Sequence, residues 1–372
     1  QYGIGLKLPY FIVLGDRRGL TLTPYLSPNT STLEARYRQA YMAGLIEVNA
    51  ALSNDTELDG TRGYLFATGA FALPGDWQLR FDLQAASDDS YLLDYDYSGT
   101  DRLTSELSLT RVRDRDLTRL AFAHYETLRE DETSSTLPPL LAEGSWERRL
   151  TPSWGGTLTL GADFDAHYRY SELETDGEGR DVLRTGLSAG WQTSAIWGPG
   201  MLAEADLVFA LDHYLVEDDA TTEDATRARM DAAATFRYPL IRQGPQATHV
   251  LEPVLMLAWS GDSGEIITNE DSTAVEFDEA NFLDLSRFPG EDATVTGASA
   301  ALGLSWTRAG TEGWNSRLSF GRIVRAEAQE GFTDASGLGG TLSDWLVAGQ
   351  ITSPAGLGID WRLVFDAPLA VG

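Results

Sequence analysis

Apolar and polar residues alternate at period two along most of this chain, in segments of about nine to fourteen residues. The segment 77–83 reads W-Q-L-R-F-D-L, so its apolar side chains would project to one side of a strand and its polar side chains to the other. Similar alternation recurs in segments 104–112, 156–168, 229–238, 297–306 and 316–323. Helical periodicity is nearly absent. The pattern predicts an all-β protein built from antiparallel strands.

The number of such segments predicts about nineteen strands. Their predicted centres are Leu8, Leu22, Ala35, Val48, Thr68, Phe81, Asp94, Leu107, Phe122, Glu143, Gly161, Ala189, Val208, Ala234, Leu255, Ala301, Phe320, Val347 and Trp361. Gly and Ala are common on one side of several strands, which suits the curved wall of a β-barrel. Because bacterial single-chain barrels have even strand numbers, we expect the chain to be a fragment of a larger barrel.

The predicted connections alternate in length through the second half of the chain. Short turns are predicted at 113–117, 151–156, 197–201, 242–249 and 308–314, and long acidic loops at 129–137, 172–181, 217–224, 262–292 and 327–334. Outer-membrane β-barrels have short periplasmic turns and long extracellular loops. A soluble β-sandwich is the alternative, but its strands are usually about five or six residues long, and nothing in that fold requires alternating loop lengths. The pattern favours a large antiparallel transmembrane β-barrel.

The charge and the reactive residues exclude several classes of protein. The formal net charge is −28, from 56 acidic and 28 basic residues, so the chain would repel a nucleic-acid backbone. There are no cysteines, which excludes disulfides and thiolate metal sites within the chain. The histidines lie on separate predicted strands, with no zinc-binding spacing. We therefore expect no metal site, no catalytic residue and no enzymatic activity.

Three groups of residues resemble the LptD family of lipopolysaccharide-assembly proteins, also called the organic-solvent-tolerance (OstA) family. The segments 5–11 (GLKLPYF), 20–26 (LTLTPYL) and 33–38 (LEARYR) resemble its first barrel strands. The segment 87–94 (SDDSYLLD) is similar to its S-D-x-x-Y-x-x-D element, and the stretch from 269 to 292 resembles its long loop ending R-F-x-G-x-D. The residues that carry the last two likenesses are Ser87, Asp88, Tyr91, Asp94, Asn269, Glu270, Asp271, Ser272, Arg287, Phe288, Gly290 and Asp292.

The resemblance implies a function in the bacterial outer membrane. Residues 1–372 would form the β-barrel domain, and the protein would insert lipopolysaccharide into the outer leaflet of the lipid bilayer. The sugar portion would pass through the polar lumen while the acyl chains stay in an apolar environment. The molecule would then leave sideways through a lateral gate, a seam between the first and last strands. The resemblance further implies a lipoprotein plug of the LptE type and a periplasmic bridge protein of the LptA type as partners. No cofactor is expected.

The chain departs from the fullest family pattern in three respects. We expect the N-terminal periplasmic jellyroll domain to be absent, and about seven closing strands to be absent as well. Well-studied members also carry cysteines that link the jellyroll to the barrel, whereas this chain has none. The oxidation checkpoint that those cysteines provide is therefore in doubt for this protein.

Two prolines are candidates for the lateral gate. Pro9 lies in the first predicted strand and Pro24 in the second, and proline donates no backbone hydrogen bond. Given the resemblance, we expect them to weaken the seam at which the barrel opens. The alternative is that proline is merely tolerated at a sheet edge.

Two further alternatives concern function. The chain could instead be a porin or another outer-membrane transport barrel, which single-channel conductance would distinguish. Loop acids such as Asp262, Glu265 and Asp271 could share divalent cations with lipopolysaccharide phosphates. For these acids we favour a solvated, repulsive surface.

Overall fold

A computed structural model of the chain describes residues 4–56, 60–129, 132, 137–174, 177–265, 269–272, 274–329 and 331–366. Two compact units are distinguished. Unit 1 comprises Gln1–Arg148, Gly161–Gly186 and His213–Asp224, and unit 2 comprises Arg149–Leu160, Leu187–Asp212 and Ala225–Gly372.

The described residues form twenty-one strands, one single-turn α-helix and one short 3-10 helix. Neither helix is long and apolar enough to cross a membrane. The first elements along the chain are β1 (Leu6–Lys7), β2 (Tyr10–Gly15), β3 (Arg18–Leu26), β4 (Thr30–Ala40), β5 (Gly44–Asp55), β6 (Thr61–Leu73), β7 (Trp77–Ala86), α1 (Tyr91–Asp94), β8 (Arg102–Arg113), β9 (Asp116–Thr127) and β10 (Leu140–Leu150).

They are followed by β11 (Thr157–Tyr168), β12 (Asp181–Trp197), β13 (Met201–Glu217), β14 (Ala225–Arg237), β15 (Leu240–Gln243), β16 (Ala247–Gly264), β17 (Gly297–Gly310), β18 (Asn315–Gln329), the 3-10 helix (Asp334–Ser336), β19 (Gly340–Leu342), β20 (Trp345–Thr352) and β21 (Gly358–Phe365).

Within two meanders, β1 to β10 and β14 to β21, the strands pair antiparallel with strands close to them along the chain. In the first meander β1 and β2 both pair with β3, and pairing then continues strand by strand from β3 to β10. In the second meander β14 and β15 both pair with β16. β16 then pairs with β17, and β17 pairs with β18. β18 then pairs with β19 and β20, and β20 with β21. The predicted all-β antiparallel fold is confirmed.

The strand register separates an apolar face from a polar face in each meander. In the first meander Leu33 lies opposite Leu52, and their side chains are 49% and 62% exposed. Their neighbours Thr32 and Ser53 also lie opposite each other, on the other face, and are buried. Large exposed side chains continue the apolar face across the first meander at Leu65, Leu83, Leu107 and Phe122. So much exposed hydrocarbon is unfavourable in water and favourable against lipid.

In the second meander the apolar face carries Leu257, Trp259, Leu302, Leu304, Leu318 and Phe320. The opposite face carries small residues, among them the paired glycines Gly303 and Gly321. This face is covered by the long connection between β16 and β17, described below. Small side chains leave the space that such a covering segment requires.

The strand predicted at Asp94 is wrong. Residues 91–94 form the single turn α1, in which the Asp94 amide donates to the carbonyl of Ser90 at 2.9 Å. With this segment placed in the connection between β7 and β8, short turns at 41–43, 74–76 and 114–115 alternate with the longer connections between β5 and β6, β7 and β8, and β9 and β10.

The strand predicted at Leu8 is interrupted at its centre. Leu8 and Pro9 lie between β1 and β2 and belong to neither strand. A second interruption occurs at Pro239, between β14 and β15, although both of these strands keep one register on β16. Proline explains both breaks because it cannot donate to the ladder. The other seventeen predicted centres lie within described strands.

Candidate functional site

Arg62, the second residue of β6, is the centre of the first site. Its Nη1 donates to Asp55 at 3.1 Å, and its Nε and Nη2 both donate to Asp88, at 3.0 and 2.8 Å. Nη2 also reaches Asp94 at 2.8 Å and the Ser90 hydroxyl at 2.9 Å. The side chain of Arg62 is only 4% exposed and that of Asp55 is fully buried. The planar guanidinium suits this arrangement because it offers five donors to several carboxylates at once.

The helix α1 fits against the polar face through Tyr91. This side chain is fully buried, its hydroxyl is 2.6 Å from the Ser53 hydroxyl, and the Arg62 guanidinium lies 5.3 Å from its ring centre. The Ser53 hydroxyl is in turn 2.7 Å from that of Thr32. Leu92 packs beside Tyr91 and is also buried. The ring therefore fills the space above the strands while its polar atom keeps a partner.

The structure brings together all four residues of the first motif. Ser87 accepts a hydrogen bond from the Gly63 amide at 2.9 Å and donates to Asp88 at 2.8 Å. Asp88 and Asp94 bind the same guanidinium, and Tyr91 lies between them. The motif is a device for docking the connection between β7 and β8 onto the polar face.

The pH dependence of this docking follows from Asp88. The Arg62 guanidinium, by donating to the Asp88 carboxylate, lowers the pKa of Asp88 from 3.8 to about 2. A carboxyl group with a lowered folded-state pKa stabilises the fold above its unfolded pKa, and this stabilisation is lost as the pH falls toward the folded pKa. We expect the protection of the amides in residues 91–97, relative to their intrinsic exchange rates, to be constant above about pH 4 and to fall between about pH 4 and 2. Hydrogen exchange measured across this range should show no such step in Asp88→Asn, and a step of equal size would contradict the assignment.

The second motif closes the connection between β16 and β17 upon itself. The Asp292 amide donates to Asp271 at 3.0 Å, while the Glu270 amide donates to Asp292 at 2.9 Å. The Asn269 side chain accepts from the Asp271 amide at 3.1 Å. A Cβ on Gly290 would lie 1.9 Å from the Asp271 carboxyl carbon, so the close approach requires glycine. The two ends of the motif, more than twenty positions apart in sequence, form one clamp. Ser272 accepts a hydrogen bond from the Ala274 amide at 3.2 Å.

Strand β14 holds this clamp from beneath. Arg227 Nη1 donates to the Asp292 carbonyl at 2.7 Å, and Arg229 Nη2 lies 2.8 Å from Glu291. Arg227 is 4% exposed. The clamp is therefore tied to the sheet through the backbone of the motif and through a flanking acid.

An apolar cluster beneath the clamp packs the connection onto the second meander. Its buried members from the connection are Val275, Phe277, Phe282, Phe288 and Val295, and those from the strands include Ala233, Met256, Ala301 and Ile323. Phe282 lies over the glycine pair: a Cβ on Gly303 or Gly321 would come within 2.7 or 2.5 Å of its ring. Phe288 stacks on Phe332, with ring centres 4.3 Å apart. We call the segment from Val275 to Val295 the covering loop.

The covering loop also contacts β21. Arg362 of that strand lies 3.1 Å from Glu279, 3.6 Å from Asp278 and 3.7 Å from Glu276. The three acids come from one short stretch of the covering loop. They bind a strand whose residues are exposed along its whole length.

The two candidate gate prolines meet at one point of the ladder. β1 and β2 keep the same register on β3, which sets Leu8 opposite Pro24 and Pro9 opposite Thr23. The Leu8 amide donates to the Pro24 carbonyl at 3.2 Å, but Pro24 has no amide with which to return the bond. Pro9 and Pro24 therefore remove two backbone amide donors at adjacent positions of the ladder between the first strands.

Sequence reasoning missed Arg62, Asp55, Ser53 and Arg227. The motif residues that the two arginines bind are at least twenty-six positions away, Asp88 from Arg62 and Asp292 from Arg227, so no local spacing marks these arginines. A signal did exist for Arg62, because a lone arginine occupies the polar face of a strand otherwise rich in aromatic and small residues. For the proposed cation-sharing acids, Asp262 accepts from the Thr294 hydroxyl at 3.4 Å and Glu265 accepts from the Thr226 amide at 3.2 Å. A solvated surface stays the prediction for these acids and cation sharing its alternative, since these contacts test neither.

Comparison with known proteins agrees with the motifs. The family model for LPS transport system D (LptD) matches residues 60–369. The LPS-assembly protein LptD of Pseudoalteromonas atlantica is 25% identical over 413 residues, an alignment that covers 99% of this chain and 52% of the relative, so the chain spans about half the length of that relative. The beta domain of the Bordetella autotransporter BrkA aligns over 93% of this chain and 95% of its own, with 10% identity and a TM-score of 0.23. The resemblance noted from the motifs is confirmed: the chain belongs to the LptD family and is a protein of the bacterial outer membrane.

Proposed function

We propose that residues 1–372 form the membrane-embedded domain of a lipopolysaccharide-assembly protein that delivers lipopolysaccharide to the outer leaflet. The observation that carries the proposal is the division of each meander into an exposed apolar face and a polar face. A molecule with a sugar head group and acyl chains requires both environments, since the head group is costly to place in hydrocarbon. The polar face would serve the sugars and the apolar face would adjoin lipid.

Part of the polar face is open and carries charges of both signs. A groove of about 640 Å³ over β6 to β9 is lined by Gln78, Arg80, Asp82, Glu106 and Arg119, among others. Such a surface suits hydrogen bonding to sugar hydroxyls. It also suits contact with a protein surface of mixed charge. The proposed protein partners are a lipoprotein plug of the LptE type and a periplasmic bridge protein of the LptA type.

Exit into the membrane is proposed to occur sideways, starting at the first strands. The ladder between β1, β2 and β3 is interrupted where Pro9 and Pro24 lie, and a strand with fewer hydrogen bonds separates from its neighbour at lower cost. β2 is short and its large side chains, such as Phe11 and Val13, are exposed. The start of the chain would therefore form the movable side of the gate.

A disulfide staple across the break tests this proposal. Pro9→Cys combined with Thr23→Cys places two thiols at directly opposed positions of neighbouring strands, where the Cα separation permits a disulfide. No other cysteine is present in this chain to interfere. In cells that depend on the full-length protein, we expect oxidation to reduce lipopolysaccharide delivery to near background and reductant to restore it.

The matched control is Ala35→Cys with Ala50→Cys, an opposed pair on the uninterrupted ladder between β4 and β5. Its oxidation should leave delivery unchanged. Unaltered delivery in the fully oxidised first pair would show that β1 and β2 do not move during export, and the gate proposal would be wrong.

A further inference from the structure

We propose that Arg287 of the covering loop and Arg325 of β18 form a binding site for a phosphate group. The two side chains are 6% and 5% exposed. They come from different segments, which are joined by one pair of stacked rings. The Phe332 ring lies 5.6 Å from the Arg325 guanidinium and stacks on Phe288, the residue that follows Arg287 in the sequence.

Three of the six nitrogen atoms of these two guanidinium groups are buried without a partner in the described part of the chain. Arg287 Nη2 donates to the Phe282 carbonyl at 3.0 Å, and Arg325 Nη1 donates to the Leu338 carbonyl at 2.9 Å. The Nε atoms of both arginines and Nη2 of Arg325 are buried without an acceptor among the described residues. A buried donor is rarely left unsatisfied, and each such group calls for an explanation.

The charges of the two arginines are also uncompensated within the residues that the structure describes. No described carboxylate lies within ion-pair distance of either one, in contrast to Arg62, Arg227 and Arg229, each of which lies within that distance of an acid. Burial, followed by the positive charge of Arg325, lowers the pKa of Arg287 to about 10. Asp284 is the nearby acid that opposes this effect, and burial raises its own pKa. Two desolvated cations that repel each other would gain from a shared anion.

A phosphate is the anion that these donors fit best. Guanidinium groups bind phosphate oxygens through paired, charge-assisted hydrogen bonds, and a tetrahedral dianion can accept from two of them simultaneously. A single carboxylate offers fewer acceptor directions and half the charge. The phosphate can come from two sources, a phosphorylated glycolipid or inorganic phosphate. Assigning it to lipopolysaccharide rests on the proposed function, whereas the site itself does not.

Calorimetric titration of inorganic phosphate into the refolded full chain, in detergent and phosphate-free buffer, tests the site. We expect saturable binding with one phosphate per chain. Arg325→Gln should weaken it about tenfold or more, because a hydrogen bond to a charged group contributes strongly to affinity, and Arg325→Lys should recover part of the loss. Arg36→Gln is the matched control, since Arg36 is exposed and paired with Glu47 on the first meander.

The source of the phosphate is distinguished in a second arm. Micelles of a glucosamine-based lipid bearing phosphate are compared with micelles of the same lipid after enzymatic removal of phosphate. Tighter binding of the phosphorylated lipid, lost in Arg325→Gln, supports the lipid source, whereas binding of inorganic phosphate alone supports the free anion.

Hydrogen exchange of residues 281–296 in the unmodified chain provides a readout that needs no variant. Phosphate is expected to slow exchange there and to leave residues 91–97 unaffected. Absence of saturable heat in correctly folded protein, or equal binding by Arg325→Gln, overturns the site. If the disulfide between positions 9 and 23 leaves lipopolysaccharide delivery unchanged while phosphate still binds, the gate is rejected and this site is retained.

Discussion

Arg62→Met is expected to lower the free energy of unfolding by about 3–5 kcal/mol, because it removes one partner of a buried group of ions. Asp55 has a fully buried side chain and would lose the guanidinium that compensates its charge. Asp88 and Asp94 would at the same time lose the cation that joins them. Methionine has a similar length but offers no donor, so the acids would repel each other and α1 would leave the polar face.

This expectation is checked by urea unfolding of refolded protein in detergent micelles, together with hydrogen exchange of residues 91–97. Arg36→Met is the matched control, because Arg36 pairs with Glu47 on the same meander but is 49% exposed. An exposed ion pair contributes about 1 kcal/mol or less. Equal losses in the two variants would show that the Arg62 cluster does not organise this connection.

Phe282→Ala is expected to have an effect of comparable size on the second meander. Removing a buried phenylalanine ring costs about 3–5 kcal/mol, from the lost burial and the cavity that remains. The ring is 7% exposed and lies directly over Gly303 and Gly321, whose lack of side chains means that nothing from the strands can fill the space. We expect the covering loop to detach from the sheet while the strands stay paired.

Limited proteolysis of the refolded protein measures this detachment, with cleavage between residues 275 and 295 expected to accelerate. Phe320→Ala provides a matched control, since Phe320 precedes Gly321 on β18 but lies on the opposite face and is 41% exposed. Its removal should leave cleavage of the covering loop unchanged. A covering loop that resists protease in Phe282→Ala would mean that the clamp of Asp271 and Asp292 holds it independently of the apolar cluster.

The error at Asp94 shows where local pattern ceases to be informative. The stretch around it, L-L-D-Y-D-Y, has the alternation and aromatic content of a strand. Its conformation is decided instead by Arg62, which lies thirty-two positions before Asp94 and binds Asp88 ahead of the turn and Asp94 at its end. The segment prefers a strand by its residue types, but the buried ionic contact with Arg62 holds it as a helical turn.

The covering loop is a second case in which local sequence predicted only part of the structure. The second motif was recognisable from its residues, and its length predicted a long connection between β16 and β17. Its folding back onto the strands could not be predicted, because this depends on Gly303 and Gly321 lying side by side on neighbouring strands. That register is a property of the assembled sheet.

Local sequence was enough to predict seventeen of the nineteen strand centres, the two faces of the strands and the alternating connections of the second half of the chain. Each of these features depends on residues within a few positions of one another. The interruption at Pro9 and Pro24 was also implicit in the sequence, since proline lacks a donor in any fold. The contacts between polar residues could not be predicted in this way: Arg62 binds Asp88, Arg227 binds Asp292, and Arg287 lies near Arg325. Pairing of buried charges is set by strand register and loop docking, which bring together residues that chain position keeps apart.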